Sequence, residues 1–225
     1  MTTLSLKRED RLAFVNAAHA AAAGYAEFTE TTAKYPTTLS TVAVTAGVLY
    51  VALGIGNEVG ELSELFDEEA IKPDYRSERY TKAWKELGDV QWYIARMCEE
   101  QKGLPPFAIM VRNAATRLAD AHYREARISG FDLQSALCTH AGIVQGVVKK
   151  AMRDGMQWDE AKAAAKLEEM RNALQQMVNV SFEFAERTAP LVDCDGGYVA
   201  LLKGNRDKLA DRKERGVLHG DGGER

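Results

Sequence analysis

Five prolines divide this sequence of 225 residues into long segments whose apolar residues recur every three or four positions. Proline rarely continues the interior of a helix, so each one marks a helix end or a connection. The segments between them are rich in alanine, leucine, glutamate and lysine, which favour helices. No segment alternates apolar and polar residues between turn signals, as a half-buried strand does. The sequence therefore predicts an all-α fold.

The helical spacing predicts three helical regions before the middle of the chain. They cover residues 5–34, where Gly24 is a point at which the helix can break, residues 42–69 and residues 79–102. Further helical segments follow Pro106, the second residue of the adjacent pair Pro105 and Pro106. The last stretch, residues 204–225, is charged and becomes glycine-rich after Leu209, which predicts a partly irregular tail.

Composition and charge exclude several classes of protein. The formal net charge of -4 gives no reason to expect a nucleic-acid partner. No segment approaches the roughly 20 apolar residues that a membrane span needs, and the N-terminal residues carry no signal-peptide pattern. The 3 cysteines lack C-x-x-C spacing, so a disulfide framework is not expected. These features predict a cytoplasmic protein without a membrane partner.

Two pairs of acidic residues share the same helical spacing. Glu58 and Glu61 lie three positions apart, as do Glu86 and Asp89, so each pair projects from one side of its helix. Apolar residues surround both pairs, and two helices packed along those residues would bring four carboxylates together. Such like charges repel one another, and a divalent cation such as Mg²⁺ would relieve the repulsion. The alternative for either pair alone is a solvated helix face.

The sequence motifs in these segments resemble those of a known family. The first pair lies in GNEVGEL and the second in KELGDVQWY, while YAEFTETTAKYP precedes them and NRDKLADRKERGVLHGDGGER closes the chain. This order resembles the E-x-x-E and E-x-x-D signature of the MazG-like all-α nucleoside triphosphate pyrophosphohydrolases. The resemblance covers roughly residues 25–103 and 204–225, and the compound pattern is specific where each piece alone is weak.

The resemblance implies a function and a set of site residues. It implies an enzyme that cleaves a ribo- or deoxyribonucleoside triphosphate between its α and β phosphates, releasing a monophosphate and pyrophosphate. Mg²⁺ would be the cofactor, with Mn²⁺ as a substitute, and members of the family usually form homo-oligomers. The implied catalytic and metal-binding residues are Glu58, Glu61, Glu86 and Asp89. The implied substrate-binding residues are Trp92, Asn205, Lys208 and Arg212, with a core position as the alternative for Trp92 and a charged helix face for the two cations.

A long interruption separates the two matching parts, which suggests three regions within one compact unit. Residues 1–103 carry the metal-binding carboxylates, residues 104–203 are a helical insertion or a degenerate second repeat, and residues 204–225 form a tail that contacts substrate. HAGIVQGVVKKA resembles LGIGNEVGELSE, with Gly146 and Lys149 at the positions of Glu58 and Glu61. Farther on, Glu169 and Asn172 fall at the positions of Glu86 and Asp89. The chain would then be a tandem pseudo-dimer whose second half has lost most of its carboxylates.

Other functions stay open at this point. A nucleotide-binding regulator could keep the fold without turnover, and a helical interaction protein could carry the acidic residues on a solvated face. The 4 histidines form no E-x-x-H pair, which disfavours a di-iron oxidase of the helical-bundle type. The base and sugar preferred, and the choice between diphosphate and triphosphate, do not follow from the sequence.

Overall fold

The computed structural model describes residues 8–33, 44–66, 76–120 and 129–217, and within these ranges it contains helices and no strand. The prediction of an all-α fold is therefore confirmed for this part of the chain. The helices are α1 (Arg8–Thr32), α2 (Ala46–Glu64), α3 (Arg76–Glu100), α4 (Phe107–Ala119), α5 (Gly130–Asp154), α6 (Glu160–Thr188) and α7 (Gly197–Glu214). No helix in the described ranges is both long and apolar enough to cross a lipid bilayer.

Two sequence expectations about helix continuity are wrong. Helix α1 runs through Gly24 without a break. Helix α7 continues past Leu209 to Glu214, where an irregular tail was expected. Its last turns contain helix-forming charged residues, and an ion pair four positions apart, between Asp211 and Arg215, supports them. The rest of the predicted tail, residues 218–225, lies outside the described residues.

Three of the described helices have a side chain that caps their first turn. Thr45 accepts a hydrogen bond from the backbone N–H of Val48 at the start of α2. Ser129 and Asp132 form a reciprocal capping box at the start of α5, and the Asp159 side chain caps α6. Each cap satisfies backbone donors that the first helical turn leaves without a partner. These polar residues explain where the helices begin.

The helices α2, α3, α5 and α6 pack as two helical hairpins that contact each other. Helix α2 packs against α3, helix α5 packs against α6, and α2 also contacts α5. Helix α4 lies against α1 and α6, whereas α7 lies against α1, α3 and α6. The core between them contains fully buried apolar side chains from every hairpin helix, including Ile55, Leu87, Leu137 and Phe182. Burial of this apolar surface is the main force that holds the helices together.

A buried chain of hydrogen bonds joins α3, α6 and α7. The Tyr198 hydroxyl donates to Gln91 Oε1 at 2.6 Å, and Gln91 Nε2 donates to Ser181 Oγ at 3.0 Å. All three side chains are fully buried, so leaving any of these polar groups unpaired would cost free energy. The network therefore fixes the position of α7 against α3.

Two glycines of α2 provide a matched test of the packing against α3. A Cβ atom added at Gly54 would lie 2.1 Å from Tyr93 Cε1, whereas one added at Gly60 would have no atom within 4 Å. We expect Gly54→Ala to lower the free energy of unfolding by about 1–3 kcal/mol, because the Tyr93 ring has to move. Gly60→Ala should raise it by about 0.5–1 kcal/mol, since alanine restricts the unfolded chain. Urea denaturation measures both, and equal shifts in the two variants would contradict this packing.

Candidate metal centre

Three carboxylates from two helices converge where α2 and α3 pack together. Ligand oxygens of Glu58, Glu86 and Asp89 all lie within 4.8 Å of one another, and each side chain is partly buried. Among the described residues, 8–33, 44–66, 76–120 and 129–217, no other group of three acidic, histidine or cysteine side chains comes together in this way. The structure thus brings together three of the four residues expected to bind metal. We call these three side chains the carboxylate cluster.

Helix α7 supplies the partners of Asp89. Asn205 Nδ2 donates to Asp89 Oδ1 at 2.7 Å, and the Lys208 ammonium group donates to Asp89 Oδ2. Asn205 is itself held in place, because the Tyr25 hydroxyl donates to its Oδ1 at 2.6 Å. Gly88 permits this approach, since a Cβ atom there would lie 2.9 Å from the Asn205 Cβ. Two of the predicted substrate-binding residues therefore lie beside the carboxylate cluster.

The electrostatics of the cluster favour an additional cation. The pKa of Glu58 is raised to about 8, first by burial and then by the nearby charges of Asp89, Glu61 and Glu86, while Lys208 opposes the shift. Burial, followed by the charge of Asp89, also raises the pKa of Glu86, whereas Lys208 and Lys85 oppose this shift. One ammonium group therefore compensates the cluster only in part. A cation with a higher charge would stabilise the ionised carboxylates.

Glu61 lies at the edge of this arrangement. Its charge contributes to the raised pKa of Glu58 and of Glu86, so it is near both. Its Oε1, however, accepts a hydrogen bond from Asn57 Nδ2 at 2.9 Å on the exposed side of α2. The structure does not include Glu61 in the group whose ligand atoms lie within 4.8 Å of one another. Its role as a metal ligand stays a prediction.

The predicted aromatic residue is buried beside the site. Trp92 is 9% exposed, and its indole N–H donates to Thr32 Oγ1 at 2.9 Å. Its role in base stacking stays a prediction, as does the role of Arg212, which lies one turn after Lys208 on α7. The pairing of Lys208 with Asp89 also leaves the prediction that Lys208 contacts phosphate untested.

Tyr93 is a residue of this region that the sequence reasoning did not identify. Burial raises its pKa, as do Tyr50 and the charges of Glu58 and Asp89. Its ring packs against that of Tyr50, with the centroids 6.2 Å apart, and against the α2 backbone at Gly54. At about 100° per residue, Tyr93 lies about 20° from Glu86 around α3, whereas Trp92 lies about 120° away. This helical position is a signal that could have identified it.

The α5–α6 hairpin has no equivalent cluster. Lys149 is exposed, Glu169 pairs with Lys166, and Asn172 donates to Glu168 Oε1 at 3.0 Å. The residues that correspond to the acidic positions in the predicted repeat are therefore paired locally or exposed to solvent. Among the described residues, the group of three carboxylates lies on the α2–α3 side.

The donor atoms of the carboxylate cluster fit a hard divalent cation. All three side chains offer oxygen, and no sulfur or imidazole ligand joins them in the group. Mg²⁺ and Mn²⁺ prefer such ligands and commonly bind through a few carboxylates, with water or substrate phosphate completing the coordination. Burial first, and then the charges of neighbouring carboxylates, raise the pKa values of Glu58 and Glu86, and a bound cation would favour their ionised forms.

Comparisons of the chain with protein-family models, curated proteins and solved structures find no significant match. The fold and the site define an all-α protein with three carboxylates placed together between two packed helices.

Proposed function

We propose that the chain is a Mg²⁺-dependent nucleoside triphosphate pyrophosphohydrolase with a MazG-like fold. The convergence of Glu58, Glu86 and Asp89 from two helices carries this proposal. The sequence pattern selects the same residues independently, because they belong to the two acidic pairs of the resemblance. A solvated acidic face would not require partly buried carboxylates with raised pKa values.

The residues around the carboxylate cluster match the needs of phosphoryl chemistry. A bound Mg²⁺ would neutralise phosphate oxygens and make a coordinated water more acidic. Glu58, Glu86 and Asp89 would hold that ion, and Mn²⁺ would be able to replace it. Lys208 and Arg212 provide positive charge on the side of α7 that reaches Asp89, where they would contact phosphate oxygens.

Glu61 is the carboxylate that we propose as the proton acceptor for the attacking water. It lies near the cluster but outside the group of three, and its hydrogen bond from Asn57 orients the carboxylate. A base in this position would not have to share its proton-accepting oxygen with the ion. The fourth acidic residue would then have a role different from that of the other three.

Tyr93 extends the proposed substrate site beyond the phosphates. The Tyr50 and Tyr93 rings pack together next to Glu58, and Tyr50 is 40% exposed. An aromatic surface beside a polyphosphate site suits a nucleobase, because bases stack on aromatic rings. Trp92 would support this surface from the buried side, as its ring packs against that of Tyr93 with the centroids 4.9 Å apart.

We also propose that the chain is a tandem pseudo-dimer with a degenerate second half. Helices α5 and α6 would repeat α2 and α3, and α7 would repeat α4. Among the hairpin helices, α4 packs mainly on α6 of the opposite hairpin, and α7 packs on α3 of the opposite hairpin as well as on α6. This reciprocal packing is what a duplicated unit with exchanged closing helices produces. An unrelated helical insertion, which is the alternative, does not explain why α4 and α7 each pack on the opposite hairpin.

The biological setting follows from the same proposal. The substrate would be a member of the cytoplasmic nucleotide pool, and neither nucleic acid nor a membrane would be a partner. We also propose that the chain forms a homo-oligomer, because members of the MazG-like family usually do.

A panel of ribo- and deoxyribonucleoside triphosphates tests the proposed reaction. We expect Mg²⁺-dependent release of equal amounts of monophosphate and pyrophosphate from at least one of them, and no release in excess EDTA. Chromatography of the nucleotides, with separate assays for pyrophosphate and orthophosphate, measures which phosphate bond is cleaved. Nucleotide binding without cleavage would favour a regulator, and the absence of both would favour an interaction protein.

A further inference from the structure

The Lys208 ammonium group lies beside the carboxylate cluster, at a place where it would repel a bound metal ion. Its ammonium group bonds Asp89 Oδ2, and the Lys208 and Asp89 side chains are 28% and 21% exposed. The ammonium group also lies close enough to Glu58 and Glu86 to lower the pKa of both. Lys208 is therefore the cation that offsets the negative charge of all three carboxylates in the structure.

We infer that Lys208 is an internal counter-cation that a divalent ion displaces from Asp89 when it binds. The inference rests on the proposed function, because it assumes that the carboxylate cluster is a metal site. The ion and the ammonium group carry the same sign of charge and need the same carboxylate. Both cannot approach Asp89 closely without repelling each other. Metal binding therefore includes the cost of separating Lys208 from Asp89.

Lys208 can leave Asp89 without disturbing the fold. Its charge sits on a flexible stem of four carbons, and its side chain already reaches solvent. Displacement would leave the ammonium group next to the metal site, where the proposed function requires a cation for phosphate. The exchange thus connects the ion pair between Lys208 and Asp89 to the phosphate-binding role that the proposed function gives to Lys208.

Asn205 differs from Lys208 although both belong to α7 and bond Asp89. Asn205 is 4% exposed, donates to the other carboxylate oxygen and accepts a hydrogen bond from Tyr25. Its amide carries no net charge, so it does not compete with an ion. It is a positioning residue that orients Asp89 for the metal. Loss of Asn205 and loss of Lys208 should therefore change metal affinity in opposite directions.

Titration with Mn²⁺ alone, followed by the electron paramagnetic resonance signal of the free ion, measures this competition. We expect Lys208→Met to bind Mn²⁺ roughly fivefold to tenfold more tightly than the unchanged protein, because the ion no longer has to displace a partly exposed ion pair. Lys203→Met is the matched control, since Lys203 is an exposed lysine of the same helix. It removes the same charge and should change the affinity less than about twofold, because the charge is solvated.

A second variant separates competition from a general effect of altering α7. Asn205→Ala should weaken Mn²⁺ binding several-fold, since Asp89 loses its positioning partner. Circular dichroism without metal shows whether each variant remains folded. Affinity in Lys208→Met that is unchanged, lower, or raised no more than in Lys203→Met would overturn the inference while leaving the metal site intact. Failure of the unchanged protein to bind Mn²⁺ at millimolar concentration would overturn the proposed function, and the inference with it.

Discussion

Replacement of Glu58 by glutamine is expected to reduce pyrophosphate release by at least about a thousandfold without unfolding the protein. Glu58 is one of three carboxylates that share the cluster, and glutamine keeps its shape but removes the charge that a cation needs. The fold should tolerate the change, because Glu58 is destabilised in its ionised form by burial and by Asp89, Glu61 and Glu86. Steady-state release of pyrophosphate in saturating Mg²⁺ measures the loss, and thermal unfolding in EDTA measures the stability.

Glu64→Gln is the matched control for this variant. Glu64 lies on the same helix but is exposed, and its charge is not among the causes of the Glu58 pKa shift. We expect its activity to stay within about twofold of the unchanged protein, since surface substitutions of this kind have small effects. If Glu58→Gln retained activity similar to that of Glu64→Gln, the carboxylate cluster could not be the catalytic metal site.

The second large effect is a loss of stability as the pH rises in the absence of metal. The pKa of Glu58 is raised from 4.5 to about 8 in the folded protein, so the folded state keeps a proton that the unfolded state releases. Stability therefore falls between about pH 4.5 and pH 8, because the folded state binds more protons than the unfolded state in that range. The raised pKa of Glu86 acts in the same direction. The expected decrease in the free energy of unfolding is on the order of 3 kcal/mol, allowing for partial solvent screening.

Urea denaturation in EDTA at pH 5.5, 7.0 and 8.5 measures this decrease. Glu58→Gln should show a clearly smaller decrease, because glutamine has no proton to lose, and Glu64→Gln should follow the unchanged protein. Addition of Mg²⁺ should restore stability at the highest pH, since an ion that binds only the folded state stabilises it. Parallel curves for the unchanged protein and Glu58→Gln would show that the burial of Glu58 does not control the pH dependence.

The all-α fold class and part of the carboxylate cluster could be predicted from the sequence. The few prolines and the helical spacing were sufficient for an all-α fold, because both are local properties of the chain. The spacing of Glu86 and Asp89 also placed them on one face of α3. Their meeting with Glu58 was predicted because apolar residues flank each acidic pair and so determine which faces pack together.

The remaining details depend on contacts between distant segments. Which acidic residues come within 4.8 Å of one another depends on how α2 and α3 pack, and the helical spacing alone does not show that Glu61 lies outside the group. The ion pair between Lys208 and Asp89 depends on how α7 packs, which the α7 sequence does not reveal because its charged residues occur around much of the helix. The hydrogen bond from Trp92 likewise depends on a distant residue, Thr32 of α1. Tyr93 is the exception, since its position around α3 was readable in advance.

The dependence of Asp89 on α7 has a consequence for biosynthesis. Asn205 and Lys208 follow Asp89 by 116 and 119 positions, so they leave the ribosome long after α2 and α3. During that interval the nascent hairpin carries clustered acidic groups without their ammonium partner. Ions of the surrounding solution, or delayed closure of the hairpin, would have to relieve the repulsion until translation reaches the last described helix. Prematurely terminated chains that lack α7 would keep this defect, which makes them ready substrates for cellular proteolysis.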